Sequence, residues 1–423
     1  MRNWFTNTGG VGLLWSLLFF FSCDTSSSVD PVFKDYFIRY YGEDGDQEAA
    51  DMLVAEDGKI FLLGTSYKNQ SSRVYFIRTN SIGDEEVKIA FESNENEIAA
   101  DIERIIAGPD AGNYAVLSNA IKNDVDYLIR IRIVNADGEV LFSFDFNRLS
   151  SQYANAITPL RDGGYYIAGK TTDIDQQQAN PDLTLDTEDL LLIRFNVQRE
   201  VVEGGTTRIG RSNGGAAIKV FQNDADSDSL SYVGYSDELQ ANDNIADQNF
   251  IFRRFKSDPA SVKTRFSGKP DFNERMAAST LSPGGTWLAA GTQSDINNTF
   301  NSQRVYVVSL RSQFQQINRD IFLQENRPEV AVNVTPAGSS EFLVLSNVIN
   351  TANGTRDIVL RKINLNLEYS WPDEKVTFGT PGNDDTGSAV SELPNGDILI
   401  AATMDLSNQK KIALIKLRSN GRF

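Results

Sequence analysis

Ile60-Phe61-Leu62-Leu63-Gly64 is an apolar run that stops on a small residue, and the chain returns to this pattern along its whole length. Tyr114-Ala115-Val116-Leu117-Ser118, Tyr165-Tyr166-Ile167-Ala168-Gly169 and Leu230-Ser231-Tyr232-Val233-Gly234 follow it. So do Trp287-Leu288-Ala289-Ala290-Gly291, Phe342-Leu343-Val344-Leu345-Ser346 and Ile398-Leu399-Ile400-Ala401-Ala402. The closing positions 64, 118, 169, 234, 291, 346 and 402 are separated by 54, 51, 65, 57, 55 and 56 residues, which makes seven copies of one unit.

Most runs follow a Gly-rich turn, at Asp57-Gly58, Asp162-Gly163-Gly164, Pro283-Gly284-Gly285 and Asn395-Gly396. This is hairpin chemistry that needs positive φ, so each run is predicted to be the second strand of a hairpin. A third β-rich segment recurs downstream, at 74–78, 127–132, 190–195, 250–255, 305–310, 358–363 and 412–417. Shorter alternating patterns at 139–144, 261–266 and 375–379 read as half-exposed fourth strands. The second strands are apolar on both faces, so both faces must be covered, and sheets packed radially against one another provide that cover. The predicted fold is therefore all-β, a seven-bladed β-propeller of four-stranded antiparallel blades over residues 33–423.

The seventh unit reaches Phe423 with no fourth strand, while a spare segment, 34–41, precedes the first unit. Tyr41-Gly42 matches Phe378-Gly379 at the end of a fourth strand. The N-terminal strand is expected to complete the last blade and close the ring, which removes an open sheet edge. A linear solenoid or two sandwiches would explain neither the missing strand nor the spare. The pattern of Phe-Gly, an acidic turn and Asp-Gly-Gly-Tyr resembles the propeller repeats of exported Bacteroidota proteins over nearly all of 33–423. That resemblance implies a fold and says little of function, because such scaffolds host enzymes, binding modules and assembly parts alike.

Residues 1–22 carry Arg2, a polar spacer and the apolar run Val11 to Phe21, broken only by Gly12 and Ser16. This reads as a secretory signal, too short to serve well as a permanent span. The only cysteine of the chain, Cys23, follows directly after Ser22, and this arrangement resembles the lipobox of bacterial lipoproteins. The resemblance implies that Cys23 is acylated and becomes the mature N-terminus, with residues 23–32 as a lipidated tether. At about 0.8 kcal/mol per buried methylene, two or more chains hold a protein on a bilayer for long times. Asp24 fits two patterns, an inner-membrane retention signal of enteric bacteria and the acidic surface-export signal of Bacteroidota lipoproteins. The expectation is an anchor in the outer membrane, on either face.

The 423 residues include 40% hydrophobic and 23% charged residues, an ordinary folded composition, and no histidine. The missing histidine removes Ser-His-Asp and Cys-His catalysis and every His-ligated metal site. A net charge of -17 repels nucleic acid, so no nucleic-acid partner is expected.

Loop length adds a functional face. The second-to-third connections and the links between blades emerge at one end of the ring, and they include the longest loops. That face is acidic, with Asp173, Asp175 and Asp186 in one loop and Asp44, Asp46, Asp384 and Asp385 in the links between blades. Gathered carboxylates of this kind suit calcium or a cationic protein partner, although no loop holds a complete calcium motif. Ser282-Pro283-Gly284-Gly285-Thr286-Trp287 lacks the acid of a sialidase Asp-box, and Trp287 and Trp371 are both predicted to lie in strands. No catalytic residue is assigned. The expected function is a membrane-anchored, non-catalytic binding or scaffold module, with a protein partner in an outer-membrane assembly. The alternative is a carboxylate-dependent polysaccharide hydrolase or lyase.

Overall fold

The computed structural model describes residues 36–122, 126–147, 151–172, 188–209, 214–222, 229–237, 247–255, 264–296, 302–311, 317–323, 327–407 and 409–423. Among them every regular element is a β-strand, and the strands form seven sheets of four. Within each sheet, strands consecutive in the chain lie side by side and antiparallel. Each sheet is one blade. The first strands touch one another in a closed circuit, so the blades form a complete ring.

The last blade combines Thr386–Glu392, Ile398–Asp405 and Lys410–Leu417 with the N-terminal strand Phe37–Tyr41. Phe37 pairs with Lys416 and Tyr41 with Ile412, as the ring-closure expectation requires. The strand then passes through Gly42 into the first blade. A Cβ at Gly42 would lie 2.1 Å from Gln47 Oε1, and one at Gly379 would lie 2.2 Å from Asp357 Oδ1. A larger residue at either position would have to displace these side-chain tips, and at Gly42 the positive φ also favours glycine.

The hydrophobic core is divided into seven clusters, one at each joint between neighbouring blades. Alternate residues of each second strand feed opposite joints. Phe61 and Leu63 pack toward the second blade, while Ile60 and Leu62 pack toward the seventh. This alternation is the reason those runs are apolar throughout.

Every first strand carries a β-bulge at the same place: 49/51, 99/101, 154/156, 217/219, 276/278, 331/333 and 387/389. The bulge explains why four of the seven units close on glycine, at 64, 169, 234 and 291. A Cβ on Gly64 would sit 2.3 Å from Glu48 O, on Gly169 2.1 Å from Tyr153 O, and on Gly234 2.1 Å from Ala216 O. The bulge presses its carbonyl onto that position. It also frees an amide from the ladder, and at five of the joints the preceding blade of the ring supplies a partner. Ala99 N donates to Thr65 Oγ1, Ala154 N to Asn119 Oδ1, Ala331 N to Thr292 Oγ1, Gly387 N to Asn347 Oδ1 and Ala49 N to Thr403 Oγ1. These acceptors all follow a closing small residue by one position. The pair Ala49 and Thr403 joins the first blade to the last.

One expectation is corrected. Trp371 lies in a bend after a third strand, not in a strand, and its indole Nε1 donates to Ser419 O. It is still a core residue, buried in the joint between the sixth and seventh blades. Pro372 follows it, and a residue with no N–H does not extend an interior ladder.

Thr403→Val keeps the shape but removes the acceptor for Ala49 N, leaving a part-buried amide without its partner. Urea unfolding should show a loss of about 1–3 kcal/mol. Unchanged stability would mean that this bond does not contribute to closure. Deletion of residues 37–41 should cost far more, through an exposed edge on Lys410–Leu417 and loss of a sharp melting transition.

Candidate functional site

The first strands also line a central channel, a cavity of about 410 Å³ to which all seven blades contribute. The bulges set which side chains face it. Asp51 and Asp101 follow the bulges of the first two blades, Asn155 lies in that of the third, and Lys219 follows that of the fourth. Glu103 lies two residues beyond Asp101. The rest of the wall is small or apolar, with Ala277, Ala278, Val332 and Ala389 among it.

These ionisable groups hold one another and the neighbouring backbone. Asp51 Oδ2 accepts Ile102 N at 3.1 Å, and Asp101 Oδ2 accepts Ile157 N at 2.8 Å, so each carboxyl clasps the next blade. The two carboxyls also hydrogen bond to each other, an arrangement that retains a proton between them. Lys219 Nζ lies 2.5 Å from Glu103 Oε1, with side chains 33% and 27% exposed, and that exposure is to the channel. Burial in the wall raises Asp51 and Glu103 above the ordinary carboxylate range and lifts Asp101 to about 8. Burial works against the charge of Lys219, but Glu103 and then Asp101 outweigh it and its pKa rises. The channel therefore holds an ammonium, a paired carboxylate and a proton-sharing carboxyl pair. Chemically it can bind small polar or cationic groups and exchange a proton.

A second set of buried polar residues stands at or just before the start of the first strands, at Gln47, Glu97, Gln152, Glu274, Glu329 and Asp385. In the second blade Glu97 takes a bidentate pair from Arg132 at 2.6 and 2.7 Å and a bond from Ser118 Oγ. Burial pushes Glu97 up, yet the Arg132 bond prevails and holds it at about 2. The sixth blade repeats this arrangement with Glu329, Arg361 and Ser346. Among the described residues Glu274 has no arginine partner and its Oε2 no hydrogen bond, and burial lifts it to about 8. Glu97 and Glu329 are latches inside their own blades, whereas Gln47 Oε1 accepts Lys411 Nζ of the seventh blade.

Of the four described carboxylates expected on the long-loop face, three are engaged. Asp46 Oδ1 accepts Lys410 N at 2.9 Å. Asp384 takes Arg356 Nε at 2.7 Å and Nη2 at 2.5 Å and lies 3.9 Å from Lys410 Nζ, with Arg356 holding it below its usual range. Asp46 and Asp384 thus meet around one lysine. Asp385 is buried and accepts Thr380 N and Asp405 N, while Asp44 is exposed in its turn. Asp173, Asp175 and Asp186 lie outside the described residues. Among the described residues no group of three or more acidic or cysteine side chains is placed to hold a metal ion.

Sequence reasoning missed Asp51, Asp101, Glu103 and Lys219. First strands carry neither an apolar run nor a turn signal, and the bulge breaks their alternation. The identical tripeptides Ala49-Ala50-Asp51 and Ala99-Ala100-Asp101 were the available clue.

No known protein family matches the sequence, and neither does any curated protein. Solved structures do. A puromycin hydrolase mutant is 12% identical with a TM-score of 0.52, over 89% of this chain and 52% of that one. The chain thus spans about half the length of that hydrolase. An α-L-arabinofuranosidase from Fusarium graminearum is 10% identical with a TM-score of 0.49, over 78% of this chain and 97% of that one. The β-propeller domain of a Pyrococcus furiosus protease, described as having an open velcro topology, is 11% identical with a TM-score of 0.46, over 88% and 95%. At such identities the likeness is one of fold.

The raised carboxyls give stability a definite pH dependence. The unfolded chain releases the Asp101 proton near its ordinary value of 3.8 and the folded chain near about 8. The stabilisation is full below pH ~4 and is lost as pH rises toward 8, at up to about 1.4 kcal/mol per pH unit for each proton. Glu274 contributes with the same sign. Asp101→Asn should flatten part of this falling limb in urea titrations from pH 5 to 8. Adding Glu274→Gln, the amide already present at Gln47 and Gln152, should flatten most of the rest. An unaltered slope in both variants would contradict the assignment.

Proposed function

We propose that the chain is an exported lipoprotein of the Bacteroidota type, anchored through Cys23 in the outer membrane and acting as a non-catalytic binding module. The observation that carries this reading is the use of the channel carboxyls as structural clasps. Asp51 and Asp101 hold the backbone of the next blade, and Glu103 holds Lys219. A closed ring with its ionic groups spent in this way suits a rigid platform. Its long-loop face, with Asp44 and the 173–187 loop, is the surface offered to a protein partner. That loop is also where calcium would bind.

A second reading is favoured by one feature, the proton-sharing pair Asp51 and Asp101. A carboxylate hydrolase or lyase acting on polysaccharide would use such a pair as acid and base. Glycoside chemistry, however, needs its carboxyls roughly 5–10 Å apart, with room for sugar or water between them. The propeller-bearing hydrolases among the similar structures lend this reading only distant support.

Cys23→Ala should move the protein from the membrane fraction to the soluble fraction, and labelled fatty acid should enter the wild type alone. Pull-down from detergent-solubilised membranes should recover a stoichiometric partner that is lost when Asp173, Asp175 and Asp186 become Asn and retained by Asp101→Asn. Polysaccharide turnover abolished by Asp101→Asn would replace this reading with the enzymatic one.

A further inference from the structure

The ring has two unequal ends. The turns joining first to second and third to fourth strands lie at one end, and the links between blades lie at the other. The described chain enters at the short-turn end, because Phe37 pairs with Lys416 beside the turn Arg418 to Arg422, and the strand then runs away from that end to Tyr41. Exposed large apolar side chains gather at the same end. Ile82 and Leu365 sit in third-to-fourth turns, Ile106 in a first-to-second turn, Leu141 and Val201 at the starts of fourth strands, and Phe423 beyond the last turn. Ile106 is 58% exposed, Phe423 51% and Ile82 47%. At the long-loop end the described residues offer Ile296, Leu406 and, one residue from the end of its strand, Tyr40.

We infer that the short-turn end of the propeller is a lipid-contacting surface that rests in the membrane interface. The inference builds on the reading of Cys23 as the anchor, and the chain outside the described residues is its argument. Residues 24–35 join Cys23 to the short-turn end, and at about 3.5 Å per extended residue they reach at most about 40 Å. As a flexible chain these twelve residues span about 20 Å on average, less than the roughly 30 Å length of a nine-residue strand, which favours this end as the one nearest the bilayer. Isolated apolar side chains on turn tips are the groups that enter a headgroup layer without exposing backbone to hydrocarbon. The net charge of -17 gives no attraction to anionic lipid, so the contact is apolar and does not depend on acidic headgroups. The opposite, acidic face is then left free for a partner.

Because Cys23 is the only cysteine and is blocked once acylated, a second cysteine can be labelled alone. Full-length protein in phosphatidylcholine vesicles would carry a fluorophore at position 82, 106 or 423, or at 296 or 406 as controls. Lipid-borne nitroxide should quench the first three at least about threefold more than the controls, with no change when anionic lipid is added or salt is raised. Equal quenching at both ends would overturn the inference, as would short-turn labels shielded by a co-purifying protein or by self-association without lipid quenching. Failure of the anchor is read separately, by the wild type leaving the membrane fraction. In that event the same labelled chains, added with Cys23→Ser to vesicles at high lipid, must still show preferential quenching at 82, 106 and 423, or the surface is refuted on its own.

Discussion

A bulge in a first strand pushes one carbonyl over the second strand and turns one amide out of the ladder, and the rest of this molecule depends on where that amide goes. Here it goes to the neighbouring blade. Thr65, Asn119, Thr292, Asn347 and Thr403 each accept an amide from the next first strand. Sheets that pack face to face through apolar side chains alone could slide, because hydrophobic contact is not directional. At these five joints the hydrogen bond at the bulge fixes the height and angle of one blade against the next. At the joint between the third and fourth blades Lys170 stands at the acceptor position, and Asn155 and Thr158 donate instead to Ala217 O and Val220 O. The channel carboxyls extend the same device, with Asp51 and Asp101 clasping amides further along the first strands.

The polar interior follows from this packing. Seven bulged strands meeting around an axis leave a channel, and acceptors on its wall must be satisfied there. Protonating Asp101 satisfies it beside Asp51, and Lys219 balances Glu103. Such an arrangement stabilises the ring at the cost of a stability that falls with pH. It also leaves the function to the ends of the ring. One end carries short turns with apolar tips, and the other carries the long acidic loops.

Much of the fold was legible because the bulge leaves its imprint on the second strand. The small residue at 64, 169 or 234 is required by a carbonyl about 2 Å from where a Cβ would stand, so the repeat could be read without seeing the bulge. The N-terminal strand was legible for a related reason, since Gly42 and Gly379 end their strands against a polar side chain. The channel was not legible. An extra residue in a first strand shifts its alternation, so no periodicity singles out Asp51 or Lys219. Trp371 was misplaced because an aromatic beside a strand looks like part of it, although Pro372 argued otherwise. On the long-loop face, composition showed where acids gather but not that Arg356 and Lys410 had already claimed Asp384 and Asp46.

The central claim is that the bulge amides bind the blades into one cooperative ring, and native-state hydrogen exchange of Ala49, Ala99, Ala154, Ala331 and Gly387 tests it most directly. Although these amides stand outside the strand ladders, the account predicts that they exchange as slowly as the second-strand core. Their rates should share one steep dependence on urea, the signature of global unfolding. Fast exchange independent of urea, above all at Ala49 where the ring closes, would show that blades part locally and would contradict the account.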